Sequence, residues 1–483
     1  MVEQSTVNRL AVGSSPTWGG CTQTILIYII NELKITNSFK QFYFLYMFKL
    51  FNNLFSGLVK KLSNLQVAIF LLLLIALFSA FGTIIEQDKD IPFYEANYPT
   101  SKPVFGFVTF KLILFFGLDN IYQTSWFIFL LLLFGCSLLS CTISTQLPSL
   151  RLAQIWQFYK NRNILQKFEL SFCLKDVNLS KFYFQLYSHN YNVIQQGPFL
   201  YAYKGLVGKL GPIIVHLSII IILCGAILGN VAGFTTQELV PVKRIFHLQN
   251  VISSGFLSYV DPNYVGYVKD FRITYSDEGN IDQFYSDLNI FKLEDKKKAL
   301  KTIYVNEPLK TGGLTFYQTD WSLFSVTVNV DNLGNFQLPL KLVSVSPSSR
   351  FWISSLGNIK ALNQKESGLF AVFEDLTGKF QIFDSNQNLL LESEIGSTFF
   401  INGYKIQIKE VTPLTGLQIK ADPGINIVYF GFTLLILSTF LSYTSYSQIW
   451  AIKKDEYLYL SGRTNRAIYS FEKDFLNLLE SIF

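Results

Sequence analysis

A chain of 483 residues that is 50% hydrophobic and only 15% charged, with a mean hydropathy of +0.30, does not compose one water-soluble globule, so part of it belongs in lipid. The 46 Phe, the 30 scattered Gly and the five Cys exclude disordered, collagenous and disulfide-scaffold classes. A net charge of +6, carried largely by short loops beside apolar runs, points to membrane topology and membrane lipid, with no nucleic acid as partner.

Residues 1–46 read as an over-extended leader. Val7–Gly20 is polar and turn-rich, without the apolar region of a signal peptide or the composition of a transit peptide. Its Gly-Ser-Ser-Pro resembles the translated T-arm of a transfer-RNA gene, and the only other methionine, Met47, is the expected start.

A spanning helix needs about 20 apolar residues. Four charge-free runs are long enough: Leu62–Ile85 with its body at Val67–Ile85, Trp126–Ser144 within Asn120–Leu150, Gly211–Gly229 within Leu210–Gln237, and Ile425–Tyr443 within Pro423–Ile452. Trp126, Tyr429, Tyr443, Tyr446 and Trp450 stand near run ends as an aromatic belt would. Val104–Leu118 is apolar but interrupted by Lys111 and too short, which suits an interfacial or re-entrant helix.

Basic residues flank the first run (Lys49, Lys60, Lys61), fill the segment between the second and third (Arg151, Lys160, Arg162, Lys167, Lys175, Lys181, Lys204, Lys209) and follow the fourth (Lys453, Lys454, Arg463, Arg466). The Glu86–Thr124 loop carries five acids, Glu86, Asp88, Asp90, Glu95 and Asp119, against Lys89, Lys102 and Lys111. The positive-inside rule then puts both termini on the side of synthesis. The expected order is helices 1 and 2 with a short far-side loop in 47–150, a near-side loop domain in 151–209, helix 3 in 210–229, a far-side domain in 230–424, helix 4 in 425–445 and a near-side tail in 446–483.

The far-side segment changes pattern. Ser325–Val330 (SVTVNV), Tyr404–Lys409 (YKIQIK) and Leu417–Lys420 (LQIK) alternate, and turns such as Asn402-Gly403 separate them. This reads as an antiparallel β-rich domain, sandwich-like or barrel-like. The fold class is therefore a membrane protein of four transmembrane α-helices with a large β-rich extramembrane domain between helices 3 and 4. In 151–209, Phe182–Asn192 is a mixed helix or strand and Leu200–Lys204 a strand. In the tail, Ile468, Phe471, Phe475, Leu478, Leu479 and Ile482 fall at helical spacing, an amphipathic helix for the bilayer, for a partner or for its own loop domain.

Of three His, His216 lies inside the third apolar run, about six residues or roughly 9 Å from its near-side end. An imidazole in hydrocarbon either bonds a neighbouring helix or faces a proton path or a cofactor. As a metal ligand it suits haem iron, because imidazole is the common axial donor and the porphyrin tolerates apolar walls, whereas zinc would need further ligands. A single such His implies an opposite axial ligand from another subunit. Gly211, Gly225 and Gly229 on the same run permit close approach of a helix or of a macrocycle. His189 and His247 read as surface or hydrogen-bonded residues. Cys136 and Cys141 are five apart and form no CxxC, the far-side segment has no Cys, and no CxxCH, nucleotide loop, zincin motif or nucleophile elbow occurs, so the chain carries no independent catalytic motif.

These segments resemble a known family. KLSNLQVAIFLLLLIALFSAFGTIIEQ (61–87), YQTSWFIFLLLLFGCSLLSCTISTQLP (122–148), GPIIVHLSIIIILCGAILG (211–229), DEGNIDQFYSDLNIF (277–291) and VNEPLKTGGLTFYQTDW (305–321) resemble the ResB/CcsB family of cytochrome c biogenesis proteins, while the leader has no counterpart. The resemblance implies an accessory subunit of a haem-attachment complex. It would pair with a CcsA-like membrane protein, carry haem b across the membrane and present it to apocytochromes c such as cytochrome f and the soluble thylakoid c-type cytochrome. In the family the third-helix His, here His216, shares a transmembrane haem with a His of the partner. The partner's tryptophan-rich segment is absent here, since Trp321 and Trp352 stand alone. Phe, Ile, Asn and Lys excess suits an AT-rich organelle genome, hence a plastid thylakoid membrane with stromal termini, or else a bacterial plasma membrane. The competing expectation is a scaffold that assembles partner and apocytochrome without binding haem.

Overall fold

The computed structural model describes residues 56–104, 106, 108–277, 280–293, 297–331, 333–346, 349–358, 368–401 and 403–481; the leader and Met47 lie outside them. Among the described residues four helices are long and apolar enough to cross a membrane: the first span Leu65–Ile84, the second beginning at Ser125–Cys141 and running on to Gln154, the third Gly211–Ala232, and the fourth Ile425–Ser442. Each follows from an uncharged run of Leu, Ile, Phe and Val that satisfies its backbone internally, as hydrocarbon demands. Asn64 starts the first by accepting the Gln66 N–H at 2.9 Å, and Pro212 opens the third, where no backbone donor is needed. Leu73, Phe129, Leu217 and Phe440 stay exposed on the outer faces, the pattern of side chains meant for lipid.

The first span packs on the second, the second on the third, and the third on the fourth. The last pair is the tightest. A Cβ at Gly424 would sit 1.9 Å from the Gly225 carbonyl oxygen, and one at Gly225 would sit 2.8 Å from Val428 Cγ2. The helix glycines therefore receive the fourth span, by the small-residue packing that lipid-embedded helices rely on.

Val104–Leu118 does not cross. Its helix is only Phe110–Phe116, stopped by Gly117 in the left-handed region at φ 65°. Ile113 is buried with Ile85, Tyr94, Tyr98, Ile121 and Phe127, which folds the whole 86–124 loop onto one end of the bundle. Gln87 fastens it, donating to the Ile85 and Leu118 carbonyls at 2.8 and 2.9 Å and accepting the Ile121 N–H at 3.1 Å.

Between the third and fourth spans lies the expected antiparallel β domain, built of a seven-stranded, a five-stranded and a four-stranded sheet. The seven-stranded sheet is organised on two long strands, Leu314–Val330 and Tyr404–Ala421, paired from Leu314 with Ala421 to Val330 with Ile406. Alternation buries one set of their side chains on each face. Near the membrane, Phe316, Leu417 and Ile419 pack on Val268, Leu288 and Ile290 of the four-stranded sheet. Farther out, Val326, Val328 and Ile408 pack on Trp352, Ala371 and Phe380 of the five-stranded sheet. The arrangement is sheet on sheet.

The sheet is joined directly to the membrane part. Strand Phe234–Pro241 begins two residues after the third span, and Tyr404–Ala421 ends just before the fourth; the two pair with Ala421 opposite Phe234. Paired strands thus continue paired helices.

On the other side, residues from 151–209 and 446–483 share one antiparallel sheet in the order Leu170–Lys175, Tyr457–Thr464, Ser447–Lys454, Phe199–Lys204, Asn192–Gln196. The Phe182–Asn192 segment is helical over Leu179–Ser188 before entering the edge strand. The tail helix, Ile468–Glu480, packs at home: Phe471, Phe475, Leu478 and Leu479 are buried with Phe182 and Leu186 of the other helix. The opposite sheet face holds Tyr201, Trp450 and Leu165. Loop and tail, separate in sequence, fold as one unit at the end of the bundle opposite the β domain.

Candidate ligand site in the membrane

His216 lies in the second turn of the third span, and both its ring nitrogens meet one turn of the second span. That turn is unusual. After Cys141 the helix widens through a five-residue π turn, Thr142–Gln146, in which the Leu147 N–H reaches back five residues to the Thr142 carbonyl. Pro148 follows and has no N–H to continue the ordinary ladder. Such wide turns commonly mark functional positions.

Thr142 Oγ1 lies 3.0 Å from His216 Nδ1, and Gln146 Nε2 lies 3.1 Å from His216 Nε2. The Thr142 hydroxyl directs its hydrogen to the Leu138 carbonyl at 2.8 Å, so toward the ring it is an acceptor. This arrangement suits the tautomer with hydrogen on Nδ1, in which the Nε2 lone pair accepts from the Gln146 amide. Gln146 Oε1 is buried and has no hydrogen-bond partner among the described residues. His216 is half-buried; Leu217, next in the chain, and Leu139 and Ile143, which neighbour Leu138 and Thr142 in sequence, are exposed.

This donor set fits haem iron in two respects. With hydrogen on Nδ1, Nε2 would be the nitrogen suited to ligate, and the other is held by a hydrogen bond, as in most His ligands. The exposed aliphatic neighbours offer apolar walls. Among the described residues no group of three or more His, Cys, Asp and Glu gathers as a metal site.

Other candidates go elsewhere. His189 ends the Leu179–Ser188 helix with Nδ1 2.9 Å from the Gln185 carbonyl, and His247 is exposed on a short strand. Cys136, Cys141, Cys173 and Cys224 are free. Trp321 is core, its ring centroid 5.0 Å from that of Trp352, while Asp320 accepts from Arg350 at 2.9 Å and from the Trp321 N–H at 2.8 Å. Sequence reasoning passed over Thr142 and Gln146. Their only mark in the sequence is two polar side chains four apart at the end of an apolar run, just before a proline, a pattern that equally marks the boundary of a span.

The ResB-like family model matches residues 65–373 and 357–476. The "Cytochrome c biogenesis protein Ccs1" of Rhodomonas salina is 54% identical over 431 residues, covering 89% of this chain and 98% of its own length. That of Pyropia yezoensis is 44% identical, covering 87% of this chain and 94% of its own length. The "Cytochrome c biogenesis protein CcsB" of Crocosphaera subtropica is 42% identical, covering 89% and 95% respectively. The chain belongs to the ResB-like family.

Proposed function

We propose that this chain acts in the biogenesis of c-type cytochromes, at haem attachment, as the membrane subunit that holds haem b within the bilayer through His216. The observation that carries this is the geometry around the ring: an imidazole inside a spanning helix with Nδ1 3.0 Å from a Thr142 hydroxyl whose own hydrogen has the Leu138 carbonyl as acceptor, which suits Nε2 as the nitrogen to ligate. Haem is the cargo, and its vinyl groups are where apocytochrome thiols add. The chain's own residues supply an axial nitrogen, exposed aliphatic side chains at Leu139, Ile143 and Leu217, and a far-side β domain joined through paired strands to the third and fourth spans, the third of which carries His216. A CcsA-like partner supplies the opposite ligand, and apocytochromes such as cytochrome f are the acceptors. The names borne by the algal and cyanobacterial relatives support the pathway. The basic near-side loops support stromal termini in a thylakoid membrane, with the β domain in the lumen.

One observation favours a second reading. Both ring nitrogens already have protein partners, so His216 could serve only to bolt the third span to the second in a scaffold without haem. Haem b measured per complex after co-purification with the partner separates the two. His216→Ala removes most of it under the ligand reading; wild-type haem content in that variant overturns it.

A further inference from the structure

Resting on the ligand reading of His216, we propose that Thr142 and Gln146 are positioning residues for it. Thr142 locks the ring so that Nε2 is the iron-facing nitrogen, and the Gln146 amide is a placeholder that withdraws when haem arrives.

Three features of the π turn support this. The Thr142 hydroxyl has the Leu138 carbonyl 2.8 Å away as acceptor for its own hydrogen, which leaves its oxygen facing Nδ1 at 3.0 Å and favours the tautomer with hydrogen on Nδ1. Such a bond to the remote nitrogen fixes ring orientation and increases the ligand's basicity. Gln146 holds the nitrogen that iron would take, at 3.1 Å, by one amide hydrogen only. Its Oε1 meanwhile is buried without a partner among the described residues, an unfavourable state for an amide in an apolar surrounding. A glutamine rotated away from the ring leaves Nε2 open and frees Oε1 to find a donor. Without haem, the same amide keeps a buried imidazole lone pair from being left unsatisfied. Thr142 therefore acts in both states, Gln146 only in the empty one.

The test uses the full chain co-purified with its partner, reading haem b per complex and the reduction potential of the bound haem. Thr142→Val removes the acceptor while keeping the volume; haem affinity should fall roughly 10- to 100-fold and the potential should become more positive, and Thr142→Ser should restore both. Gln146→Leu should retain haem at or above the wild-type level. Wild-type haem content and potential in Thr142→Val would overturn the role of Thr142. Haem loss in Gln146→Leu as deep as in His216→Ala would overturn the placeholder, and this variant decides alone if Thr142→Val does not assemble. Haem retained by His216→Ala means the ligand reading itself has failed. Haem lost by His216→Ala but kept by Thr142→Val means only the positioning claim has.

Discussion

Replacing Phe475 with Ala tests whether the tail helix is a structural part of the near-side unit. The ring is fully buried, with centroids 5.7 Å from Phe172 on the edge strand and 5.9 Å from Phe471 one turn earlier. Truncating such a ring costs about 3–5 kcal/mol, through lost transfer energy and the cavity left behind. That is a large part of the ~5–15 kcal/mol that stabilises a typical domain. Where cleavage follows the population of the open form, the change corresponds to roughly a hundredfold to a few thousandfold faster proteolysis of 151–209 and 446–481 in membranes open on the near side. Tyr469→Ala, on the face that is 89% exposed, should change cleavage little. An unchanged rate for Phe475→Ala would refute the packing and restore the view of a helix lying on the bilayer.

Gly225→Leu should separate the third and fourth spans. Its Cβ alone meets Val428 Cγ2 at 2.8 Å and the Gly424 oxygen at 3.0 Å, so melting in detergent should drop by an overpacking cost of at least about 1–3 kcal/mol. Gly135→Ala, whose Cβ meets only Leu223 Cδ1 at 3.7 Å, should melt like wild type. In the far-side domain, the Asn388 and Asn386 N–H groups hold the Asp384 carboxyl below the usual carboxylate range, accepted at 2.8 and 2.9 Å. Its contribution is therefore present above the unfolded value of about 3.9 and is lost as pH falls through the lower folded value. Asp384→Asn should weaken that acid dependence in thermal unfolding between about pH 5 and 2, and an identical pH profile would contradict it.

The membrane part was legible because hydrocarbon imposes length and apolarity that no other environment does, and the four runs fall on the four helices. Alternation likewise announced the β domain. The near-side sheet was not legible as a unit, since Phe199–Lys204 pairs with Ser447–Lys454 across the entire far-side domain, and alternation says nothing about such distant partners. The tail strands turn on Asp455-Glu456, with Asp455 at φ 55°, a hairpin signal hidden between a span and an amphipathic helix. The glycines of the third span left two readings open, and the fourth span fills the space against them. His216 was visible as an imidazole in an apolar run. Thr142 and Gln146 were not, because polar residues at the end of a span look like its boundary, and only the π turn shows them gripping the ring.

The most direct measurement of the central claim is the absorption spectrum of haem b in the complex with the partner, for wild type and for His216→Ala. Axial ligation by His216 predicts a low-spin, six-coordinate spectrum in wild type that His216→Ala loses and added imidazole restores. The same low-spin spectrum and haem content in His216→Ala without imidazole would contradict it.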